Sequence, residues 1–131
     1  MLKDFENFAK QNNFDEFQTY IVLETYNALS GRYYDIEPAL KRIEKEYDIA
    51  SDKKFSDTES VLPTHYSNLK IEPVKFIFEQ KLDFFAGNVI KYISRLGKKD
   101  SRKDELKKIH FYLGYIVYGN YEHSQKFKKD K

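Results

Sequence analysis

Apolar residues in this chain recur at intervals of three and four, and no stretch of useful length alternates apolar with polar. Such spacing lines side chains along one face of an α-helix, whereas a half-buried strand needs a period of two. "LKDFENFAKQ" puts Leu2, Phe5, Phe8 and Ala9 on one stripe. "FDEFQTYIVLETYNALSG" continues through Phe14, Phe17, Ile21, Leu23 or Glu24, and Ala28, with Gly31 as its stop. "DIEPALKRIEKEYD" predicts a third helix on Ile36, Leu40, Ile43 and Tyr47. Pro38 lies near its start, where a missing N–H costs little. The predicted fold class is all-α, a compact domain of five to six helices.

Periodicity lapses over residues 48–62, "DIASDKKFSDTESVL", where Ser, Asp, Lys and Thr gather. This stretch reads as a linker or mobile loop between an N-terminal helical part, 1–47, and a second helical part, 63–119. The second part opens on the turn-like "LPTHYSNL", then "IEPVKFIFEQ", with Pro73 near a helix start. Its main helix is expected from Asp83 to Leu96. A last helix begins after Ser101, a candidate N-cap with Asp104 three residues on, and carries Leu106, Ile109, Leu113 and Ile116 or Val117 as far as Gly119. The tail, 120–131, is basic and expected to fray. "IEPALKRIEKEYD" and "IEPVKFIFEQKLD" share five identical positions. Their flanks do not match, so the likeness is one of helix-start grammar rather than of duplicated units.

Composition narrows the function classes. The 131 residues suffice for one domain with its own core. Lys and Arg number 23 against 21 Asp and Glu, a net charge of +2, and a dedicated nucleic-acid binder is expected to be more basic. With no cysteine, disulfides and thiolate metal sites are excluded, which fits a reducing cytoplasm. The first residues carry acids and lysines where a signal peptide needs an apolar run, and no window approaches the ~18 apolar residues of a membrane span. The 11 Tyr and 11 Phe, with no Trp, offer more apolar surface than one small core hides, so a homo-oligomer is expected.

The densest chemistry lies in "GNVIKYISRLGKK", Gly87 to Lys99. On an ideal helix Phe85, Val89, Ile93 and Leu96 share one side. Asn88, Lys91, Arg95 and Lys99 share another, roughly 120° away at 100° per residue. The cations therefore flank the core face, as the wall of a cleft would, although lysines near a helix C-terminus also complement its dipole. Glycine inside a helix costs ~1 kcal/mol relative to alanine, so Gly87 hints at close approach by a partner or ligand.

Taken together, "PTHYSNLKIEPVKFI", "LDFFAGNVIKYISRLGKK" and "DELKKIHFYL" resemble a family of small phage-encoded proteins, known as a domain of unknown function or as SaV-like. The family pattern runs His-Tyr, Ile-Glu-Pro-Ile, Leu-Asp-Phe, Gly-Asn-Val-Ile-Lys-Tyr, an Arg, a Lys pair, then Asp-Leu-Lys-Lys before Tyr-Leu. One member, from a short-tailed coliphage, is a deoxynucleoside monophosphate kinase. The resemblance spans roughly residues 61–115. It carries over Pro63, His65, Tyr66, Ile71, Glu72, Pro73, Gly87, Asn88, Lys91, Tyr92, Arg95, Lys98, Lys99, Lys107 and Tyr112. Family members place Asn-His before the proline where this chain has Val61-Leu62, and a glycine before Ile-Glu-Pro where it has Leu69. Glu105 also intervenes between Asp104 and Leu106.

The resemblance implies a nucleotide site in the cytoplasm of an infected bacterium. Lys91, Arg95 and Lys98 or Lys99, with Lys107, would hold phosphate, Arg95 as a bidentate fork. Tyr66 or Tyr92 would stack on a base, and Asn88 would meet a base edge or sugar. His65 is the candidate catalytic acid or base. Glu72 would hold a ribose hydroxyl or, with Asp104, a hydrated Mg²⁺. No resident metal is expected, because the three histidines are scattered. No Gly-x-x-x-x-Gly-Lys-[Ser/Thr] loop is present, so conventional P-loop phosphoryl transfer is excluded. Two readings follow from one pocket: a nucleoside monophosphate kinase, or a non-catalytic sponge for a nucleotide immune signal of the cyclic oligonucleotide or cyclic ADP-ribose type. The loss of Asn-His favours binding over turnover. A third reading, inhibition of a host protein through residues 1–47, rests on the N-terminal helices.

Overall fold

Local capping chemistry sets where each helix begins and ends. The computed structural model describes residues 1–31, 35–51 and 69–119, among which there are six helices and no strand. The first, α1 (Leu2–Gln11), leads into α2 (Glu16–Ser30) through a reciprocal box. The Gln18 amide N–H donates to Asp15 Oδ1 at 2.8 Å, and the Asp15 N–H donates to Gln18 Oε1 at 3.1 Å. Gly31 closes α2 with φ +70°, a left-handed conformation in which glycine carries no Cβ penalty. Pro38 sits in the first turn of α3 (Glu37–Ile49) and Pro73 in that of α4 (Pro73–Glu79). Asp83 caps α5 (Phe84–Ser94) by accepting from the Ala86 N–H at 2.8 Å. Ser101, itself buried, caps α6 (Arg102–Tyr118) by accepting from the Asp104 N–H at 3.1 Å.

The predicted stripes meet in one core. Phe5 and Phe8 of α1, Phe17 and Ile21 of α2, Ile43 of α3, Phe76 of α4, Val89 and Ile93 of α5, and Leu106, Ile109 and Leu113 of α6 are all buried in it. Helix α2 packs against α1, α5 and α6, and α6 also packs against α3 and α5. The N-terminal and C-terminal parts are therefore halves of one interior. The Phe76 ring stacks on Phe8 at 4.2 Å between centroids and meets Phe5 edge-on at 5.0 Å. Asn12, buried at the end of α1, clamps the backbone of Ile71 from both sides: its Nδ2 donates to the carbonyl at 2.9 Å, and its Oδ1 accepts from the N–H at 2.8 Å.

Three features depart from the expectations. Helix α5 ends at Ser94, not Leu96: Arg95 leaves helical geometry (φ −111°, ψ 18°) and Gly97 adopts φ +76°. Gln18 of α2 finishes that last turn by donating to the Ile93 carbonyl at 2.9 Å. Next, α3 runs through Ile49, two residues into the stretch read as a linker; residues 52–62 of that linker, and the tail 120–131, lie outside the described residues. Third, Gly87 serves helix packing. A Cβ there would lie 3.2 Å from Ile77 Cγ2 of α4, so the close neighbour is the protein's own helix. No helix among the described residues is long and apolar enough to cross a membrane.

Candidate functional site

Helices α5 and α6 form an antiparallel hairpin. Phe85 at the start of α5 stacks on Tyr115 near the end of α6 (4.2 Å, 11°), and Arg95 just past α5 bonds Glu105 in the first turn of α6. Helical periodicity then lays an aromatic seam along their junction. Tyr92 and Tyr112 lie near parallel at 6.0 Å, and Phe84 meets Tyr112 edge-on at 5.7 Å. Phe84 is 67% exposed, so the seam opens to solvent.

Cations gather at the Tyr92 end. Arg95 Cζ lies 4.8 Å from the Tyr92 ring centroid, Lys108 Nζ 5.0 Å and Lys91 Nζ 5.3 Å. Each is within the ~6 Å at which an aromatic quadrupole attracts a cation. Burial lowers the Lys91 pKa from its ordinary 10.5, and the charges of Arg95, Lys99 and Lys108 lower it further; Glu105 acts the other way. The Lys91 ammonium is thus held in a local excess of positive charge, the condition under which an added anion is most stabilised. Burial also raises the Tyr112 pKa, with a further push from Tyr92 and an opposing one from Lys108.

Beneath these groups runs a carboxylate network. Arg95 is buried; its Nε donates to Glu105 Oε2 at 3.1 Å, and its Nη2 lies 3.8 Å from Asp100 Oδ2. Glu105 is fully buried, and burial raises its carboxyl pKa despite the opposing Arg95 charge and hydrogen bonds. Asp100 accepts from Lys108 Nζ at 3.3 Å. Burial alone would raise the Asp100 pKa, but Lys108, Arg95 and Lys99 outweigh it and hold that carboxyl below its ordinary value.

Not all expected site residues converge. Lys91, Tyr92 and Arg95 come together, with Lys99 close enough to act on Lys91. Arg95 differs from the expected open fork, because the end of α5 turns it inward onto Glu105. Lys98 and Lys99 are exposed in the turn after α5. Asn88 bonds back within its own helix, donating to the Phe84 carbonyl at 2.8 Å. Lys107 faces α3, with its Nζ 5.7 Å from the Tyr47 ring. Glu72 is exposed at the N-cap of α4, while Asp104 stands in the first turn of α6. His65 and Tyr66 lie outside the described residues. Lys108 and Asp100 were missed. The signal for Lys108 was its place one turn before Tyr112 on α6; for Asp100 it was an acid standing between two basic pairs.

Among the described residues, no group of three or more His, Asp or Glu could hold a metal ion. An open groove of about 490 Å³ between α1 and α2, lined by Glu6, Lys10, Asn13, Phe14 and others, has no comparable convergence of cations. His110 is buried, its Nε2 2.9 Å from Glu44 Oε2 of α3, and so ties α6 to α3.

Comparison with known proteins gives one partial match. Residues 61–114 match the family model "Protein of unknown function (DUF3310)". That segment contains α4, α5 and most of α6, and with them the cationic end of the seam. No curated protein and no solved structure matches the chain.

Proposed function

We propose that the protein binds a nucleotide on the α5–α6 seam, with the base against the Tyr92–Tyr112 aromatics and the phosphate at Lys91, Lys99 and Lys108. The observation that carries this reading is the convergence of Lys91, Arg95 and Lys108 on the Tyr92 ring. Stacking surface and anion site are thereby adjacent, as a nucleotide requires. Charge balance favours one ligand class. Arg95 and Glu105 offset each other, which leaves three lysines facing the single carboxylate of Asp100. An excess of two positive charges suits the dianionic phosphate of a nucleoside monophosphate better than the singly charged diester of a cyclic nucleotide.

The finer reading is a phage protein acting on deoxynucleoside monophosphates in the cytoplasm of its host, as the resemblance implies. Mg²⁺ would then enter on the phosphates of a donor nucleotide. His65 is the proposed acid or base.

Calorimetric titration with each deoxynucleoside monophosphate and with a cyclic dinucleotide tests this. Monophosphates are expected to bind more tightly. Lys91→Ala and Lys108→Ala should each weaken binding about tenfold, within the range for a charge-assisted contact. Binding unchanged in both variants, or absent throughout, would refute the site. Incubation with ATP and Mg²⁺ separates kinase from sponge. Diphosphate formed in excess over protein, and slowed more by His65→Ala than binding is weakened, supports catalysis. Ligand recovered intact supports capture.

A further inference from the structure

Helix α4 turns Phe76 and Pro73 into the core and leaves Val74 69% and Phe78 81% exposed on its outer face. Val74 and Phe78 stand one turn apart, so they form a single apolar knob pair. Lys75 and Glu79, also one turn apart and both exposed, share one flank of that pair. The geometry points to a second copy of this chain as the occupant of this face, docked with the two α4 helices antiparallel about a two-fold axis.

The charges favour a copy over an unrelated partner. In a two-fold antiparallel pair, like flanks meet in reverse order. Lys75 then faces the partner's Glu79, and Glu79 faces the partner's Lys75, while Val74 packs on the partner's Phe78 at both ends. One surface is thus complementary to itself in both charge and shape. A parallel two-fold pair would instead put the two Lys75–Glu79 flanks on opposite sides of the contact, with no charge pairing across it. The area sets the strength: two Phe78 rings bury roughly 300–500 Å². That is well below the ~1,200 Å² of a standard stable interface, so the contact is a weak, concentration-dependent dimer. The inference does not rest on nucleotide binding.

Sedimentation velocity on the full chain over a concentration series tests it, with circular dichroism to show that each variant is folded. The mass is expected to rise from one chain to two. Phe78→Ser should weaken association about tenfold or more. Lys75→Glu alone and Glu79→Lys alone should each abolish it, the double exchange K75E/E79K should restore it, and an equimolar mixture of the two single variants should pair. A single-chain mass up to the solubility limit overturns the proposal. So does self-association indifferent to Phe78→Ser, or single charge reversals that the double exchange fails to rescue; either result would assign this face to another partner.

Discussion

Arg95 shows how one side chain can link a fold to its chemistry. A buried guanidinium opposite a fully buried carboxylate is stable only as a pair, because removing one partner strands the other without water. Arg95→Ala should therefore lower stability by roughly 3–5 kcal/mol in denaturant titration. The paired replacement of Arg95 by Met and Glu105 by Leu should cost clearly less. The penalty also depends on pH. Burial already raises the Glu105 carboxyl above its ordinary 4.5, and losing Arg95 raises it further. The cost of Arg95→Ala is then full above that raised value and shrinks as pH falls and Glu105 is protonated in both states. A pH-independent loss under 1 kcal/mol would mean the pair behaves as a surface bridge. Asp100 has the opposite sign. Its pKa is depressed below 3.8, so the unfolded chain takes up its proton first as pH falls. Its stabilisation is present above 3.8 and disappears through the lower folded value. Asp100→Asn should accordingly flatten the acid limb of the stability curve, read by thermal melts from neutral pH downward.

At the scale of elements, the contact of α4 with α5 depends on Gly87. Alanine there would gain the ~1 kcal/mol of helix propensity that glycine forgoes. It would also set a Cβ 3.2 Å from Ile77 Cγ2, so the gain and the crowding offset each other. Valine adds two methyl groups at the same point. Gly87→Val should destabilise by about 1–3 kcal/mol, as overpacking does, measured by urea unfolding, and an unchanged midpoint would refute the contact. Helix limits were legible in the sequence because caps are local: Gly31, Ser101, Gly119 and the two helix-start prolines act within one turn of themselves. The end of α5 was not, since ideal phasing carried the stripe past Gly97, where the backbone turns left-handed. The site was half legible for the same reason. Lys91 and Arg95 stand one turn apart and are paired by periodicity, whereas Tyr92, about 100° round from Lys91, is a candidate only through the family resemblance. Lys108 joins them only through the register of α6 on α5, which no local pattern states. The resemblance points to Lys107, one position or about 100° around the helix from Lys108. Glu105 and His110 interrupt the apolar stripe of α6 and so carry no local sign of burial, although each meets a partner in the interior.

At the scale of the whole molecule, the family match and the folding unit do not coincide. The match covers residues 61–114, yet the interior draws on α1, α2 and α3 as much as on α4, α5 and α6. Phe76 has Phe5 and Phe8 as its ring partners, the Ile71 backbone has Asn12, and the last turn of α5 has Gln18. Without residues 1–51, those groups and the inner faces of α5 and α6 would meet water. Each large apolar side chain so exposed forfeits about 1.5–3 kcal/mol, and a domain's net stability is only ~5–15 kcal/mol. A fragment comprising residues 61–131 should therefore not fold alone. Circular dichroism should show weak helicity and a broad, non-cooperative melt, and helicity should return when a peptide of residues 1–51 is added. In this view the N-terminal helices supply half the core that aligns α5 with α6, and so bring Lys91 and Lys108 to one ring. A sharp thermal transition for the fragment by itself would show that the matched segment is self-sufficient, and would free residues 1–51 for a separate role.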